Sequence, residues 1–314
     1  MAMSHLHAEG RAVPWESADP STLAGCHGFT LIELLVALVV ALVALAAVYS
    51  TFIVQLQMFG NQRLVMRAQQ NLRGALLILE QELRMAGYDP EDSGGFGVVD
   101  VRRYDLVHQH ECNPDGQPVL FYTYDANEDG RLEGDRNQIN KEPAGKERNE
   151  EHAKFRISDK DNDGHICLTW DNGAGRNPLA ENIQAIAFAF AIDTDGDGRC
   201  DSWPGGGDLI WAVDSDNDNL LDADIDTNGD GIIDEKDDAN GDHRIDMADG
   251  RPLNPQVPLR CIKAVRVWVL AVTQGRLQGE DDHQVHVVGD RILAPADDGK
   301  KRFVLQTRVQ CRNL

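Results

Sequence analysis

Aspartates recur along this 314-residue chain at a spacing that can do chemistry. Six segments place Asp or Asn at the first, third and fifth positions of a loop. They are Asp125, Asn127 and Asp129; Asp159, Asp161 and Asp163; Asp193, Asp195 and Asp197; Asp214, Asp216 and Asp218; Asp226, Asn228 and Asp230; and Asp238, Asn240 and Asp242. Position 6 is Gly130, Gly164, Gly198 and Gly231 in four of them, and Asn219 and His243 in the other two. A hard cation such as calcium takes about six to eight oxygens at ~2.3–2.6 Å, and a loop of alternating carboxylates with a sharp turn at position 6 wraps one. Position 7 would add its carbonyl, and position 9 a direct or water-mediated contact.

The last three loops begin at 214, 226 and 238, a tandem period of 12 residues. Each carries an apolar residue at position 8 (Leu221, Ile233, Ile245) and an aspartate at position 9 (Asp222, Asp234, Asp246), and the last two carry Asp237 and Asp249 at position 12. Asp201 joins the donor set of the loop at 193. A solvated acidic linker would share the composition but would not hold this register. The array resembles thrombospondin type 3 repeats. That resemblance implies several Ca2+ ions that hold the segment in shape where a large apolar core would otherwise do so. The flanking helices of an EF-hand are missing from the pattern, so an EF-hand type of switch is not implied.

Charge follows the same segment. The chain has 52 Asp and Glu against 30 Lys and Arg, a net charge of −22. Residues 193–249 hold 19 of those acids against only Arg199, Lys236 and Arg244. So acidic a protein repels nucleic acid and anionic lipid surfaces. Without a cation the array repels itself, and cation binding should fold it, with the ~10⁻⁴–10⁻³ M affinity typical of extracellular modules.

A second chemical feature lies near the N-terminus. Phe29–Val54 carries a single charge, Glu33, and contains no proline, long enough as a helix to cross a bilayer core of about 30 Å. A carboxylate in such a span is costly and marks a function with a partner. Gly28-Phe29-Thr30-Leu31-Ile32-Glu33 resembles the cleavage and methylation motif of type IV prepilins and type II secretion pseudopilins. The resemblance implies that a prepilin peptidase cuts between Gly28 and Phe29 and that the new Phe29 amine is methylated. It also implies that Glu33 pairs with the N-terminal amine of a neighbouring subunit. Residues 1–28 are then a cleaved leader, longer and more acidic than family leaders.

The elements that must position these groups are one long helix and a set of strands. Val65, Ala68, Leu72, Ala75, Leu79, Leu83 and Ala86 form an amphipathic stripe that extends the helix to a stop near Gly87, giving a stem over 29–87 with a membrane span over 29–54. Gly60 and Gly74 are points where it could bend. Strands are expected over 118–124, 165–170, 183–192, 208–213, 259–272, 284–288 and 302–311. The fold class is α+β, a pilin fold: the stem helix packs on an antiparallel head formed by 88–192 and 251–314, with 193–250 as an Asp-rich calcium-binding insertion. Glu82-Leu-Arg-Met-Ala-Gly-Tyr-Asp-Pro, Leu179-Ala-Glu-Asn-Ile, Ile262-Lys-Ala-Val-Arg-Val-Trp-Val-Leu and Arg308-Val-Gln-Cys-Arg-Asn-Leu resemble PilW-like minor pilins.

That resemblance implies a structural protein that starts in the bacterial inner membrane with its head in the periplasm and passes to a pilus tip or initiation complex. Its partners would be other pilins, the prepilin peptidase and the inner-membrane assembly platform. A GspJ-like pseudopilin and a calcium-dependent adhesin on a pilin stem are the alternatives. No enzyme is expected, because no nucleophile, zinc or phosphate-loop motif appears. Five cysteines follow the leader (Cys112, Cys167, Cys200, Cys261, Cys311), and of the pairings open to them Cys261 with Cys311 is favoured, both lying on C-terminal strands. His108 with His110 and His283 with His286 read as exposed loop residues.

Overall fold

The computed structural model describes residues 28–103, 117–132, 151–158, 166–172, 176–204, 207–279 and 282–314. Residues 1–27 of the leader, the loop at 159–163, Cys112, His108 and His110 lie outside these. The chain divides into two compact units, 1–56 and 57–314.

In the first unit the described residues enter α1 (Leu31–Leu83), whose apolar side chains up to Leu56 are almost all exposed. Such a surface is costly in water and suits lipid or another helix. The helix is unbroken through Gly60 and Gly74 and is followed by a turn, so it is shorter at its C-terminal end than the expected stem.

The second unit begins within α1. Ala68, Leu72, Ala75, Leu79 and Leu83 are buried, one every three or four residues, as the stripe requires. Val65 is only half-buried. Gly87 ends the helical stretch in the left-handed region (φ 73°), where a Cβ would strike the Leu314 side chain and the Asn313 carbonyl. The Asn313 amide donates to the Arg84 carbonyl at 3.1 Å, so the C-terminal tail satisfies a helix end.

Two antiparallel sheets complete the unit. The first runs in spatial order β1 (Val98–Asp100), β2 (Leu120–Thr123), β3 (His152–Ser158), β4 (Cys167–Asp171) and β5 (Arg176–Glu181). The second is ordered β13 (Arg302–Gln310), β10 (Ile262–Val272), β6 (Ile183–Ile192), β7 (Ala212–Val213), β8 (Leu220–Asp224) and β9 (Pro252–Pro258). A hairpin of β11 (His286–Val288) and β12 (Arg291–Leu293) forms a separate two-stranded sheet that packs on the second.

Strand β6 explains the layering. Ile183, Ile186, Phe188, Phe190 and Ile192 join the core shared with Leu72, Leu79 and Leu83 of α1. The intervening Ala185, Ala187, Ala189 and Ala191 face a second core with Trp211, Trp268, Ile233 and Ile245. Large residues on one face and alanines on the other let a second layer approach closely. The glycine turn of the hairpin uses that room: a Cβ on Gly289 would lie 2.5 Å from Ala187 Cβ. A register shift between Leu270 and Ala271 puts both Ile183 and Ile186 on the helix side.

The Asp-rich segment is therefore woven into the sheet, supplying β7 and β8, and its position-8 residues Leu221, Ile233 and Ile245 are buried in the two cores. Cys261 and Cys311 are free thiols, which corrects the expected pairing. Lys263, not Cys261, stands opposite Cys311 across the β10–β13 ladder, and diagonal neighbours lie about 7–8 Å apart, beyond disulfide reach.

Candidate functional site

Strand ends deliver the loops. Asp193 directly follows β6, Asp214 follows β7, Asp125 lies two residues past β2, and Asp226 two past β8. These four first-position aspartates are buried, whereas Asn127, Asp129, Asp195, Asp197, Asp216, Asp218, Asn228 and Asp230 are exposed. Asp238 is half-buried.

One hydrogen-bond template recurs in all five described loops. The position-1 carboxylate accepts the position-6 N–H: Gly130 to Asp125 and Gly198 to Asp193 at 2.9 Å, Asn219 to Asp214 and His243 to Asp238 at 2.9 Å, and Gly231 to Asp226 at 3.0 Å. The side chains at positions 3 and 5 accept N–H groups two residues on; Asp195 accepts from Asp197 and Asp197 from Arg199. The backbone is thus wound around the first aspartate, with the other donors turned to one side.

This winding needs left-handed backbone at two positions. Position 6 was expected and is met, with Asn219 at φ 68° and His243 at φ 69°. Position 4 was not foreseen, yet Glu128, Gly196, Asn217, Gly229 and Gly241 lie at φ 63–76°. Glycine at position 4 in three loops was the available signal.

In the loop at 214 the asparagines do more than tolerate the turn. The Arg103 N–H donates to Asn217 Oδ1 at 2.9 Å and the Val101 N–H to Asn219 Oδ1 at 3.3 Å. These bonds tie the loop to the end of β1, in the other sheet.

The later acids divide into two kinds. At position 9, Asp201 accepts from the Thr194 N–H and hydroxyl at 2.9 and 2.6 Å, and Asp222 from those of Ser215 at 3.0 and 2.9 Å. In the last two loops Asp234 and Asp246 instead cap short 3₁₀ turns. The acid that folds back over the loop is there at position 12: Asp237 accepts from Asn228 N–H at 3.2 Å, and Asp249 from Ala239 N–H at 2.9 Å.

Three groups bring carboxylate oxygens within 4.8 Å of one another: Asp193, Asp195 and Asp197; Asp214, Asp216 and Asp218; and Asp125, Asp129 and Glu151. Glu151, buried at the start of β3, was missed because it lies far from its loop in sequence. In the loops at 226 and 238 asparagine at position 3 lowers the charge.

Electrostatics favour a cation here. Burial pushes the Asp214 carboxyl up to about 6 despite N–H bonds from Asn219, Asn217 and Asp218. Burial also raises Asp222 and Asp237. Burial opposes the Asp193 carboxylate as well, but there the N–H groups of Gly196 and Gly198, with Lys263, hold its pKa below the usual range. All-oxygen donors, close spacing and a prewound backbone fit calcium.

At the other candidate site, Thr30 and Glu33 form a reciprocal cap. Thr30 N–H donates to Glu33 Oε2 at 2.9 Å, and Glu33 N–H donates to Thr30 Oγ1 at 3.3 Å. This is the capping box of a Thr-x-x-Glu sequence, a second use of Glu33 that was legible but passed over. Gly28 and Phe29 precede the helix in non-helical backbone. Of the histidines, His283 is exposed as expected, whereas His286 is buried, 3.0 Å from Asp282.

Comparisons with known proteins agree with the N-terminal motif. The family described as Prokaryotic N-terminal methylation motif matches residues 23–49, and the family described as Prepilin peptidase-dependent protein B matches 61–203. Among solved structures, the Type IV-like pilin TTHA1219 from Thermus thermophilus is similar at a TM-score of 0.35 and 14% identity, over 79% of this chain and 98% of that one. No curated protein matches in sequence. In these matches the chain is similar to prepilins: an N-terminal methylation motif stands at the head of an apolar helix, and an α+β unit follows.

Proposed function

We propose that the chain is a minor pilin, a structural component of the tip or initiation complex of a type IV pilus, whose head is stabilised by calcium. The observation that carries the pilin role is Gly-Phe-Thr-Leu-Ile-Glu standing immediately before and within the first turn of an exposed apolar helix long enough to span a membrane. A prepilin peptidase acts between Gly28 and Phe29, in backbone not yet helical, and the Phe29 amine is then methylated. Glu33 exchanges its intrachain cap on Thr30 for the amine of a neighbouring pilin. The protein sits in the inner membrane with its head in the periplasm until it joins the pilus through other pilins and the assembly platform.

In the head, calcium adds its charge to the backbone N–H groups that balance the buried first-position aspartates. Candidate ligands are the donors at positions 1, 3 and 5 of each loop, with Asp201 and Asp222 at position 9 and Asp237 and Asp249 at position 12. Asp234 and Asp246 keep their capping roles. Glu151 completes the loop at 125.

Two experiments separate these parts. In cells, Glu33→Ala is expected to be cut normally at Gly28 yet to fail to enter pili; normal incorporation would refute the assembly role. Loss of secretion with intact pili would assign the chain to a type II secretion system. For the purified full-length chain in detergent, a chelator is expected to lower the melting temperature and expose 192–251 to protease. Identical behaviour with chelator and with millimolar calcium would refute the metal role.

A further inference from the structure

The two edges of the six-stranded sheet differ. Edge strand β9 carries Pro252, Pro255 and Pro258, which remove donors and block strand pairing. Edge strand β13, Arg302–Gln310, has no proline and no lysine. Its ladder with β10 is unshifted, and the Cys311 N–H to Lys263 carbonyl bond fixes which residues face inward. Antiparallel pairing alternates, so odd-numbered residues bond to β10, and Val304, Gln306, Arg308 and Gln310 turn their N–H and C=O groups outward. Among the described residues no strand pairs with that outer edge, and Leu305, Gln306, Arg308 and Gln310 are exposed.

The same edge carries two clustered positive charges. Arg266 and Arg308 stand directly opposite each other on β10 and β13, a like-charge pair that opposes the pairing. Both guanidinium groups lie over Trp211, at 5.4 and 5.3 Å, and Arg266 also over Trp268 at 4.9 Å. The rings hold the pair in place. The polar partners are Gln306 for Arg266 and the Cys200 sulfur for Arg308; the field of Asp226 reaches Arg266 without ion-pair contact. In a chain of net charge −22, these two adjacent arginines beside an open strand edge have no acidic ion-pair partner among the described residues.

We infer that β13 is a docking edge for an extended, acidic segment of a partner protein, which adds as a seventh strand and sets a carboxylate against Arg308 and Arg266 while an apolar side chain covers Leu305. Main-chain bonds give the affinity and the alternating side chains the selectivity. A second copy of this chain suits the edge poorly, because it would bring another Arg266 and Arg308 to the same seam.

The test uses the full-length chain in detergent and two short labelled peptides, one alternating glutamate with valine and one alternating lysine with valine, read by fluorescence anisotropy at low and high salt. The glutamate peptide is expected to bind, more weakly in high salt, and the lysine peptide at least about tenfold more weakly. Gln306→Pro removes an outward donor together with the side-chain acceptor of Arg266, and Gln306→Ala removes that acceptor alone; only the proline variant is expected to abolish binding, with unchanged circular dichroism. Arg308→Glu, which needs no backbone change and sets a carboxylate opposite Arg266, is expected to abolish the preference for the glutamate peptide. Equal binding of the two peptides, no binding of the glutamate peptide at millimolar concentration, or full binding by a folded Gln306→Pro protein would overturn the inference. Self-association lost in Gln306→Pro would overturn it in favour of a second copy.

Discussion

Replacing Asn217 and Asn219 together by glycine separates a local account of the loop at 214 from a tertiary one. Locally, both residues sit in left-handed backbone, at φ 65° and 68°, where glycine relieves about 1 kcal/mol per site. That gain is largely offset by about 0.5–1 kcal/mol of extra chain entropy per glycine, so a loop considered alone should be unchanged or slightly stabilised. The tertiary account differs in sign. The substitution deletes the acceptors for Arg103 and Val101 N–H groups at 2.9 and 3.3 Å, and Val101 is buried. Each lost bond costs about 0.5–1.5 kcal/mol net, and a buried donor left unpaired costs about 1–3 kcal/mol, so a loss of about 2–3 kcal/mol is expected. For a unit of this size that is a melting-point drop of roughly 5–10 °C. Thermal unfolding with saturating calcium gives the stability, and hydrogen exchange at the Val101 and Arg103 amides gives the site. His243→Gly is the control: His243 shares the left-handed backbone at φ 69°, its side chain makes no hydrogen bond among the described residues, and a change within about 1 kcal/mol is expected. A double variant as stable as the parent, with unchanged exchange at Val101, would refute the cross-sheet tie.

Three further outcomes follow from the geometry. Leu79→Ala, at a fully buried position between α1 and the sheet, should cost about 2–5 kcal/mol in chemical denaturation, whereas Leu77→Ala on the exposed face should cost under about 0.5 kcal/mol. The bidentate Arg302 pair, at 3.1 and 2.7 Å, with the Lys300 N–H, holds the Asp298 carboxyl down to about 2. Its stabilisation is therefore complete above the ordinary aspartate pKa near 4 and fades as pH falls through about 2. Because Asp298 is part-exposed, Asp298→Asn should cost only about 1 kcal/mol at neutral pH and flatten unfolding curves across that acid window. Burial pushes the Cys311 thiol up to about 12, so alkylation of the folded protein at mild alkaline pH should label the part-exposed Cys200 and Cys261 first, with Cys311 reacting only after unfolding.

Much of the candidate site was legible because its grammar is local. Asp193 through Asp197 are gathered by hydrogen bonds within a few residues, so their register alone places them together. Other features needed knowledge of neighbours. Strand β9 contains three prolines and β5 one, which local rules count against a strand until an edge position makes them acceptable. Strand β8 is hidden inside an acidic repeat, where Asp222 and Asp224 are as buried as Leu221 and Ala223 and a register shift between Leu221 and Ala223 breaks the alternation. Strand β3 lies outside the expected strands although Ala153, Phe155 and Ile157 alternate plainly. The expected Cys261–Cys311 bond failed by register, since Cys261 lies in the 3₁₀ turn before β10 while Cys311, just past β13, stands opposite Lys263.

What sequence determined by itself was everything written in short-range period: the apolar helix with Glu33 in its first turn, the stripe from Ala68 to Ala86, the two-faced strand β6 and the 12-residue aspartate repeat. Each follows from chain geometry over a turn or two, so few other conformations compete. Tertiary structure alone decided which distant groups meet. It set Glu151 beside Asp125 and Asp129, chose Asp237 and Asp249 over Asp234 and Asp246 to close the last loops, anchored Asn217 and Asn219 to β1, and left β13 with an open edge. Strand order and sheet packing fix those contacts, and neither is encoded in the spacing of neighbouring residues.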